Sequence, residues 1–98
     1  MDHNRTWKIL NWNIRGINSE LKWIALAAKI EECGCDIICL QETKRDNFDT
    51  EYIKKVCPKK FNRFEFLPSV GASGGIIIIW NGAFLVENWL SKMNFLYL

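Results

Sequence analysis

Two short polar motifs, each placed where an apolar run ends, constrain the fold of this 98-residue chain more than any other feature. The first spans residues 11–17, with the sequence NWNIRGI, and the second spans residues 40–43, with the sequence LQET. Asn13 and Glu42 are the polar residues that follow the two apolar runs. A chain that ends two neighbouring strands in this way can bring an amide oxygen and a carboxylate together at one edge of a sheet.

The segment that joins the motifs has the pattern of a strand, a helix and a second strand. Thr6–Trp12 alternates like a half-buried strand, and Asp36–Leu40 is a nearly continuous apolar run, typical of a strand buried on both faces. The helix between them begins after a cap at Asn18 or Ser19 and ends at Gly34. Such crossovers are right-handed and join parallel strands, so the polar residues of both motifs should follow the carboxyl ends of adjacent strands.

The helix between the motifs should bury one face against the sheet. Apolar residues recur there at helical spacing, and lysines and glutamates supply a polar side. The pattern predicts a buried face made of Leu21, Ile24, Ala25 and Ala28, widened by Trp23, Ala27 and Ile30.

The rest of the chain adds strands to the same sheet. A short helix over Thr50–Val56 precedes a strand over Phe61–Leu67, and a glycine-rich loop leads into a strand over Ile76–Trp80. Asn81-Gly82 is a strong hairpin turn, which predicts that Ala83–Trp89 pairs antiparallel with the strand before it. We therefore expect an α/β fold with one mixed sheet of about five strands, helices on its outer face and an open apolar inner face.

Composition excludes some classes of protein. No apolar segment reaches the roughly 20 residues that span a bilayer, so no membrane contact is expected. The polar N-terminus lacks the apolar stretch of a signal peptide, which predicts an intracellular protein, nuclear or cytoplasmic and not secreted. The four cysteines are then expected to be reduced, because Cys33-x-Cys35 has neither the spacing nor the nearby histidine of a zinc site.

Positive charge is concentrated in one part of the chain, although the net charge is only +2. The basic run consists of Lys54, Lys55, Lys59, Lys60 and Arg63. Such a run is usually a solvated face, and the alternative is a patch that contacts phosphate or nucleic acid. The residues alone leave both interpretations open.

Four residues of the two motifs are able to carry chemistry. A carboxylate just past a buried strand, such as Glu42, is costly unless it is paired or bound to a cation, and glutamate is a natural ligand of Mg²⁺. The alternative is a surface glutamate bonded to local backbone or to a neighbouring lysine or arginine. Asn13 offers an amide oxygen to a metal or phosphate, or serves the turn before Gly16. Arg15 either clamps a phosphate or is an exposed turn residue. Gln41 either orients Glu42 or ends the strand, and with Arg15 it is a candidate contact for phosphate or nucleic acid.

These motifs resemble those of the endonuclease/exonuclease/phosphatase superfamily. The resemblance is carried by residues 8–16 (KILNWNIRG), by the helix after them and by residues 36–44 (DIICLQETK). The first motif, together with residues 73–80 (SGGIIIIW), is most similar to the apurinic-like endonuclease domain of non-LTR (LINE-type) retrotransposons. Base-excision members of the superfamily carry an aspartate where this chain has Arg15, which favours the retrotransposon branch.

The resemblance implies a fold and a metal site. The family fold is a four-layer α/β-sandwich, and residues 1–98 would form its N-terminal half, a partial domain truncated at the C-terminus. Family residues of the Mg²⁺ or Mn²⁺ site match Asn13 and Glu42, which are therefore the candidate catalytic and metal-binding residues. Members hydrolyse phosphodiesters, in DNA for this branch, by metal-assisted attack of water. The later family motifs, which position phosphate, orient the water and act as base, are absent after Glu42.

Three functions are consistent with the sequence. The first is a truncated Mg²⁺-dependent DNA endonuclease domain that is inactive alone. The second is a non-catalytic nucleic-acid-binding or accessory module, with self-association through the open sheet face. The third is a phosphatase or phosphodiesterase fragment, which Arg15 and the retrotransposon-like second half disfavour. Whether the chain is itself an enzyme is left open, because most of the family's catalytic motifs are missing.

Overall fold

The computed structural model describes residues 8–71 and 73–82, which form one sheet and two helices. The elements are β1 (Ile9–Asn13), α1 (Glu20–Cys33), β2 (Ile37–Gln41), α2 (Thr50–Val56), β3 (Arg63–Leu67) and β4 (Ile76–Trp80). No helix within these residues is long and apolar enough to cross a membrane.

The sheet is mixed, with the strand order β1-β2-β4-β3. β1 and β2 are parallel, and β4 pairs antiparallel with β2 on one side and with β3 on the other. The predicted α/β class and the parallel strand–helix–strand unit are therefore confirmed. The predicted fifth strand, Ala83–Trp89, lies outside the described residues, and both edges of its predicted partner β4 are occupied by β2 and β3.

Local signals set the bounds of the helices. The Ser19 side chain accepts a hydrogen bond from the Lys22 N–H and caps α1, whereas Gly34 ends this helix with a φ of +60°. Asp49 caps α2 in the same way, through the N–H of Tyr52 at 2.8 Å. Polar caps and a terminal glycine supply partners and backbone conformations that the ends of a helix require.

The predicted buried face of α1 is wrong in part. Leu21 and Ile24 are 78% and 60% exposed, while Leu26 and Ile30 are fully buried against the sheet. The buried stripe continues through the half-buried Trp23, which gives a spacing of three and four residues typical of one helix face. The predicted face omitted Leu26 and included Leu21 and Ile24, so it does not coincide with the side of the helix that contacts the sheet.

The main core lies between the helices and one face of the sheet. The strands contribute large side chains that are almost inaccessible to solvent, namely Ile38, Leu40, Ile77 and Ile79. The helices and the loop before α2 cover them with Leu26, Ile30, Phe48, Tyr52, Ile53 and Val56. Both helices thus pack on one face of the sheet, as the sequence predicts.

The second face of the sheet is not the open apolar surface that the sequence predicts. Ile37, Ile78 and Trp80 point to this face and are only 2%, 4% and 3% exposed. They lie on the inner strands β2 and β4. Exposed apolar surface remains at the two edge strands, where Ile9 is 42% and Leu67 is 46% exposed.

The packing of α1 predicts opposite outcomes for two leucines of the same helix. Leu26→Ala should lower the free energy of unfolding by about 2–5 kcal/mol, because it leaves a cavity in a filled core. Leu21→Ala should change it by less than about 0.5 kcal/mol, because that side chain is exposed. Urea unfolding followed by far-UV circular dichroism measures both, and equal losses would contradict the assigned helix face.

Candidate functional site

The backbone ladder between β1 and β2 continues beyond the last residues of both strands. Ile14 N–H donates to Gln41 O at 3.0 Å, Gly16 N–H to Glu42 O at 2.7 Å, and Ile17 N–H to Thr43 O at 2.9 Å. The two loops that follow the strands are therefore fixed side by side, at the carboxyl ends of parallel strands.

The two residues predicted to form a metal site meet at this edge. The Asn13 amide nitrogen Nδ2 donates a hydrogen bond to Glu42 Oε2, and both residues are exposed to solvent. Among the described residues, the Glu42 carboxylate makes no ion pair and no other hydrogen bond, so the alternative of pairing with a neighbouring lysine or arginine is not found. Within residues 8–71 and 73–82, no group bonds to the second carboxylate oxygen or to the Asn13 side-chain oxygen.

Backbone strain is concentrated in the same two loops. Arg15, Glu42 and Lys44 have φ values of +53°, +52° and +56°, and they are the non-glycine residues with positive φ in the described parts of the chain. The left-handed conformation costs an L-residue roughly 1–2 kcal/mol. Strained residues tend to cluster at functional sites, where the surrounding structure holds them in place.

The glycine loop before β4 supports the Glu42 loop from the other side. Thr43 N–H donates to Gly75 O at 3.0 Å, and Lys44 N–H donates to Gly74 O at 2.8 Å. A Cβ atom on Gly75 would lie 2.3 Å from Thr43 Oγ1, in a side chain that is fully buried. Gly75 therefore allows a close approach of two backbones, and its role here is to hold the loop that carries Glu42.

Sequence reasoning missed a polar network that links the two loops. Asn18, one of two predicted helix caps, instead donates from Nδ2 to Lys44 O at 3.0 Å. Its side-chain oxygen accepts from Arg45 Nη1 at 3.3 Å, and the Arg45 guanidinium lies 3.9 Å from the centre of the Tyr52 ring. The two hydrogen bonds of Asn18 join residues 26 and 27 positions apart, so no local sequence pattern predicts them.

A lysine fixes the other loop to α1. Lys22 Nζ donates to Ile14 O at 2.6 Å and lies 5.7 Å from the centre of the Trp12 ring. This contact anchors the backbone immediately after Asn13. The sequence did not predict this contact, because a lysine in the first turns of an amphipathic helix normally faces solvent.

Two other predicted site residues lie beside the pair. Arg15 is exposed in the loop after Asn13, and its side chain makes no hydrogen bond or ion pair with a described residue. Gln41 donates from Nε2 to Asn11 Oδ1, across the parallel pair, rather than to Glu42. No hydrogen bond joins Gln41 to Glu42 among the described residues, and the phosphate or nucleic-acid contacts expected of Arg15 and Gln41 stay predictions.

The basic run is exposed, and its one strand residue lies away from the Asn13–Glu42 pair. Lys54, Lys55, Lys59, Lys60 and Arg63 are all exposed. Arg63 is the first residue of β3, and the strand register aligns it with the first residues of β1 and β2. Asn13 lies four residues further along β1, roughly 13 Å at the rise of a strand. Whether the run contacts phosphate stays a prediction.

The oxygen donors of Asn13 and Glu42 are of the type that binds Mg²⁺ or Mn²⁺. Among the described residues, they are fewer than a complete metal site needs. Mg²⁺ binds through one or two carboxylates and keeps several waters, which matches Glu42 with the amide oxygen of Asn13. Within residues 8–71 and 73–82, no group of three histidine, cysteine or acidic side chains is arranged to hold a metal. The described residues therefore bring together one carboxylate and one amide, donors of the kind that Mg²⁺ accepts, and metal binding by this pair stays a prediction.

The cysteines do not form a second metal site within the described residues. All four are free thiols. Burial raises the pKa of Cys57 to about 12 and, with the neighbouring Cys33, raises that of Cys35 to about 11. In the metal-free chain these two thiols therefore keep their protons near neutral pH.

Several solved structures share this fold. An AP endonuclease from Archaeoglobus fulgidus matches with a TM-score of 0.56 and 26% identity, over 76% of this chain and 27% of that one. The AP endonuclease LMAP from Leishmania major matches with a TM-score of 0.58 and 24% identity, over 89% of this chain and 27% of that one. A 3′ phosphatase from Neisseria, NExo, bound to a product DNA hairpin, has a TM-score of 0.52 and 20% identity, over 76% and 27% of the two chains.

These likenesses establish the architecture. The fold is similar to part of an AP endonuclease. The chain spans only about a quarter of the length of the structures it matches. No protein-family model matches the sequence, and no curated protein is similar enough to count as a relative. The structural neighbours support the predicted superfamily, and they do not separate the retrotransposon branch from the others.

The close approach at Gly75 predicts different effects for two adjacent glycines. Both have positive φ, +76° for Gly74 and +93° for Gly75, so alanine at either should cost about 1–2 kcal/mol of stability. Gly75→Ala should lose about 1–3 kcal/mol more, because its Cβ meets Thr43 while that of Gly74 meets open space. Urea unfolding of the two variants measures the difference, and equal losses would exclude the proposed support of the Glu42 loop.

Burial predicts a difference in thiol reactivity. In the folded protein at pH 8, iodoacetamide should modify the half-buried Cys33 faster than the buried Cys57, whose raised pKa leaves little thiolate. Reaction of Cys57 should accelerate as the pH rises towards 12. Mass spectrometry of tryptic peptides follows both residues, and the protein in urea is the control in which they should react alike. Equal rates in the folded state would contradict the assigned burial.

Proposed function

We propose that this chain provides part of the divalent-metal site of a DNA nuclease, with Asn13 and Glu42 as its metal-binding and catalytic residues. The observation that carries the proposal is the Asn13–Glu42 pair, held in two strained loops at the carboxyl ends of parallel strands. The likeness to AP endonucleases, at 26% identity for the archaeal structure, gives independent support.

The residues of the pair have separate tasks in this proposal. Glu42 supplies the negative charge that binds Mg²⁺ or Mn²⁺, and Asn13 fixes the orientation of the Glu42 carboxylate through its amide nitrogen. Arg15, which follows the strand end by two residues, contacts a phosphate of the DNA. When bound, the metal polarises a phosphate oxygen and activates water for attack on the phosphodiester.

We further propose that the chain does not hydrolyse DNA alone. The described residues bring one carboxylate and one amide to the site, whereas metal-assisted hydrolysis needs a complete set of ligands and a positioned nucleophile. The chain acts in this view as a partial domain of the LINE-type branch, which Arg15 favours, in an intracellular setting. The exposed apolar edges at Ile9 and Leu67 support self-association of the isolated chain.

The proposal predicts that purified protein does not nick supercoiled plasmid with Mg²⁺ or Mn²⁺, because the described residues bring neither a base nor further ligands to the site. Agarose-gel conversion of supercoiled to open-circular DNA measures nicking. Glu42→Gln is the test variant, and Glu65→Gln is its control, since Glu65 is an exposed glutamate on a different strand. Nicking that is lost with EDTA and in Glu42→Gln, but kept in Glu65→Gln, would show a complete site and overturn the proposed inactivity.

The second candidate function is a non-catalytic nucleic-acid-binding module. It is favoured by the basic run, since Lys54, Lys55, Lys59, Lys60 and Arg63 are all exposed to solvent. Fluorescence anisotropy with labelled duplex DNA at several salt concentrations separates the two candidates. Binding that weakens steeply with salt and is unchanged in Glu42→Gln would favour this module, since phosphate contacts then dominate.

A further inference from the structure

A cleft of about 360 Å³ opens between α2 and the start of β3, on the helix side of the sheet. Its apolar lining consists of Ile53 and Phe61, which are buried, together with the half-buried Phe64 and the exposed Pro58. This volume is at the lower end of the range for ligand pockets in proteins, and it is large enough for one bulky side chain.

Positive charge surrounds this cleft. Lys54 and Lys59 line it, and no acidic side chain of the described residues does. Residues 50–65 contain five basic and two acidic residues, a net charge of +3, whereas the whole chain has +2. An apolar cleft edged by two lysines is complementary to a ligand that joins a bulky apolar group to carboxylates or phosphates.

The cleft is separate from the Asn13–Glu42 pair. The strand register aligns Phe64 with Ile79, Ile38 and Leu10. Asn13 lies three residues beyond Leu10 on β1. The two sites also lie on different strands, since β3 is the edge strand opposite β1. A ligand of the cleft therefore does not have to contact the proposed metal site.

We propose that this cleft binds an acidic peptide segment of a partner protein. One bulky apolar side chain of the peptide fills the cleft over Phe61 and Phe64, and flanking carboxylates pair with Lys54 and Lys59. An unpaired nucleotide is a poorer occupant, because base stacking requires an exposed aromatic face. Phe61 is only 3% exposed, and the Lys60 ammonium already lies 5.1 Å from the centre of its ring.

The test measures fluorescence anisotropy of three labelled heptapeptides with the full-length chain. The first has a central tryptophan flanked on each side by three acidic residues. The second replaces the tryptophan with alanine, and the third replaces the acidic residues with their amides. The first peptide should bind at least about tenfold more tightly than either of the others, since both the anchor and the charges contribute.

Charge-reversal variants locate the binding surface. Lys54→Glu and Lys59→Glu should each weaken binding of the first peptide by about tenfold. Lys55→Glu is the matched control, because it makes the same charge reversal on the helix that carries Lys54. The Lys55 ammonium lies over the Trp23 ring, 4.3 Å from its centre, and does not line the cleft. All three lysines are exposed, so the variants should fold, which circular dichroism checks.

Four outcomes would overturn the proposal. The first is an absence of binding by the tryptophan peptide. The second is equal binding by the alanine peptide, which would show that no side chain enters the cleft. An equal loss in Lys55→Glu would show attraction by charge alone. Tighter binding of a single-stranded heptanucleotide than of the peptide, lost in Lys54→Glu and Lys59→Glu, would assign the cleft to nucleic acid. None of these results depends on metal binding at Glu42.

Discussion

The parallel pairing of β1 with β2 is the constraint on which the candidate site depends. The ladder of backbone hydrogen bonds runs past Asn13 and Gln41 into the following loops, so both loops take their positions from the strands. Burial of Ile38 and Leu40 on the helix side fixes the register. A slip by one residue would turn these side chains to the wrong face and separate Asn13 from Glu42.

The strained backbone of the loops is stable because three separate contacts hold it. Gly75 approaches Thr43 more closely than any other residue type allows, and Asn18 joins the Lys44 carbonyl to the Arg45 guanidinium. Lys22 holds the carbonyl of Ile14 from the helix side. The left-handed residues are therefore held in place in the metal-free chain, and such preorganised groups are what the proposed metal site requires.

The sequence predicts the elements well because their signals are local. Alternation of apolar residues defines β1, and a serine cap with a terminal glycine defines α1. The buried face of α1 was misassigned because apolar residues occur on two sides of this helix, and only packing on the sheet selects Leu26 over Leu21. The meeting of Asn13 with Glu42 followed from the order of the elements and the handedness of the crossover. No comparable rule predicts the hydrogen bond between Arg45 and Asn18, because it depends on the conformations of the loops.

The most direct test of this account is an NMR measurement on the metal-free protein. Assigned spectra of the ¹⁵N,¹³C-labelled chain give the nuclear Overhauser effects of the Asn13 side-chain amide. The account predicts cross-peaks from the Asn13 Nδ2 hydrogens to the side-chain methylene hydrogens of Glu42, together with cross-strand peaks in the Asn13–Gln41 register. Cross-strand peaks in a shifted register, or an Asn13 amide with no contact to Glu42, would contradict the preformed pair.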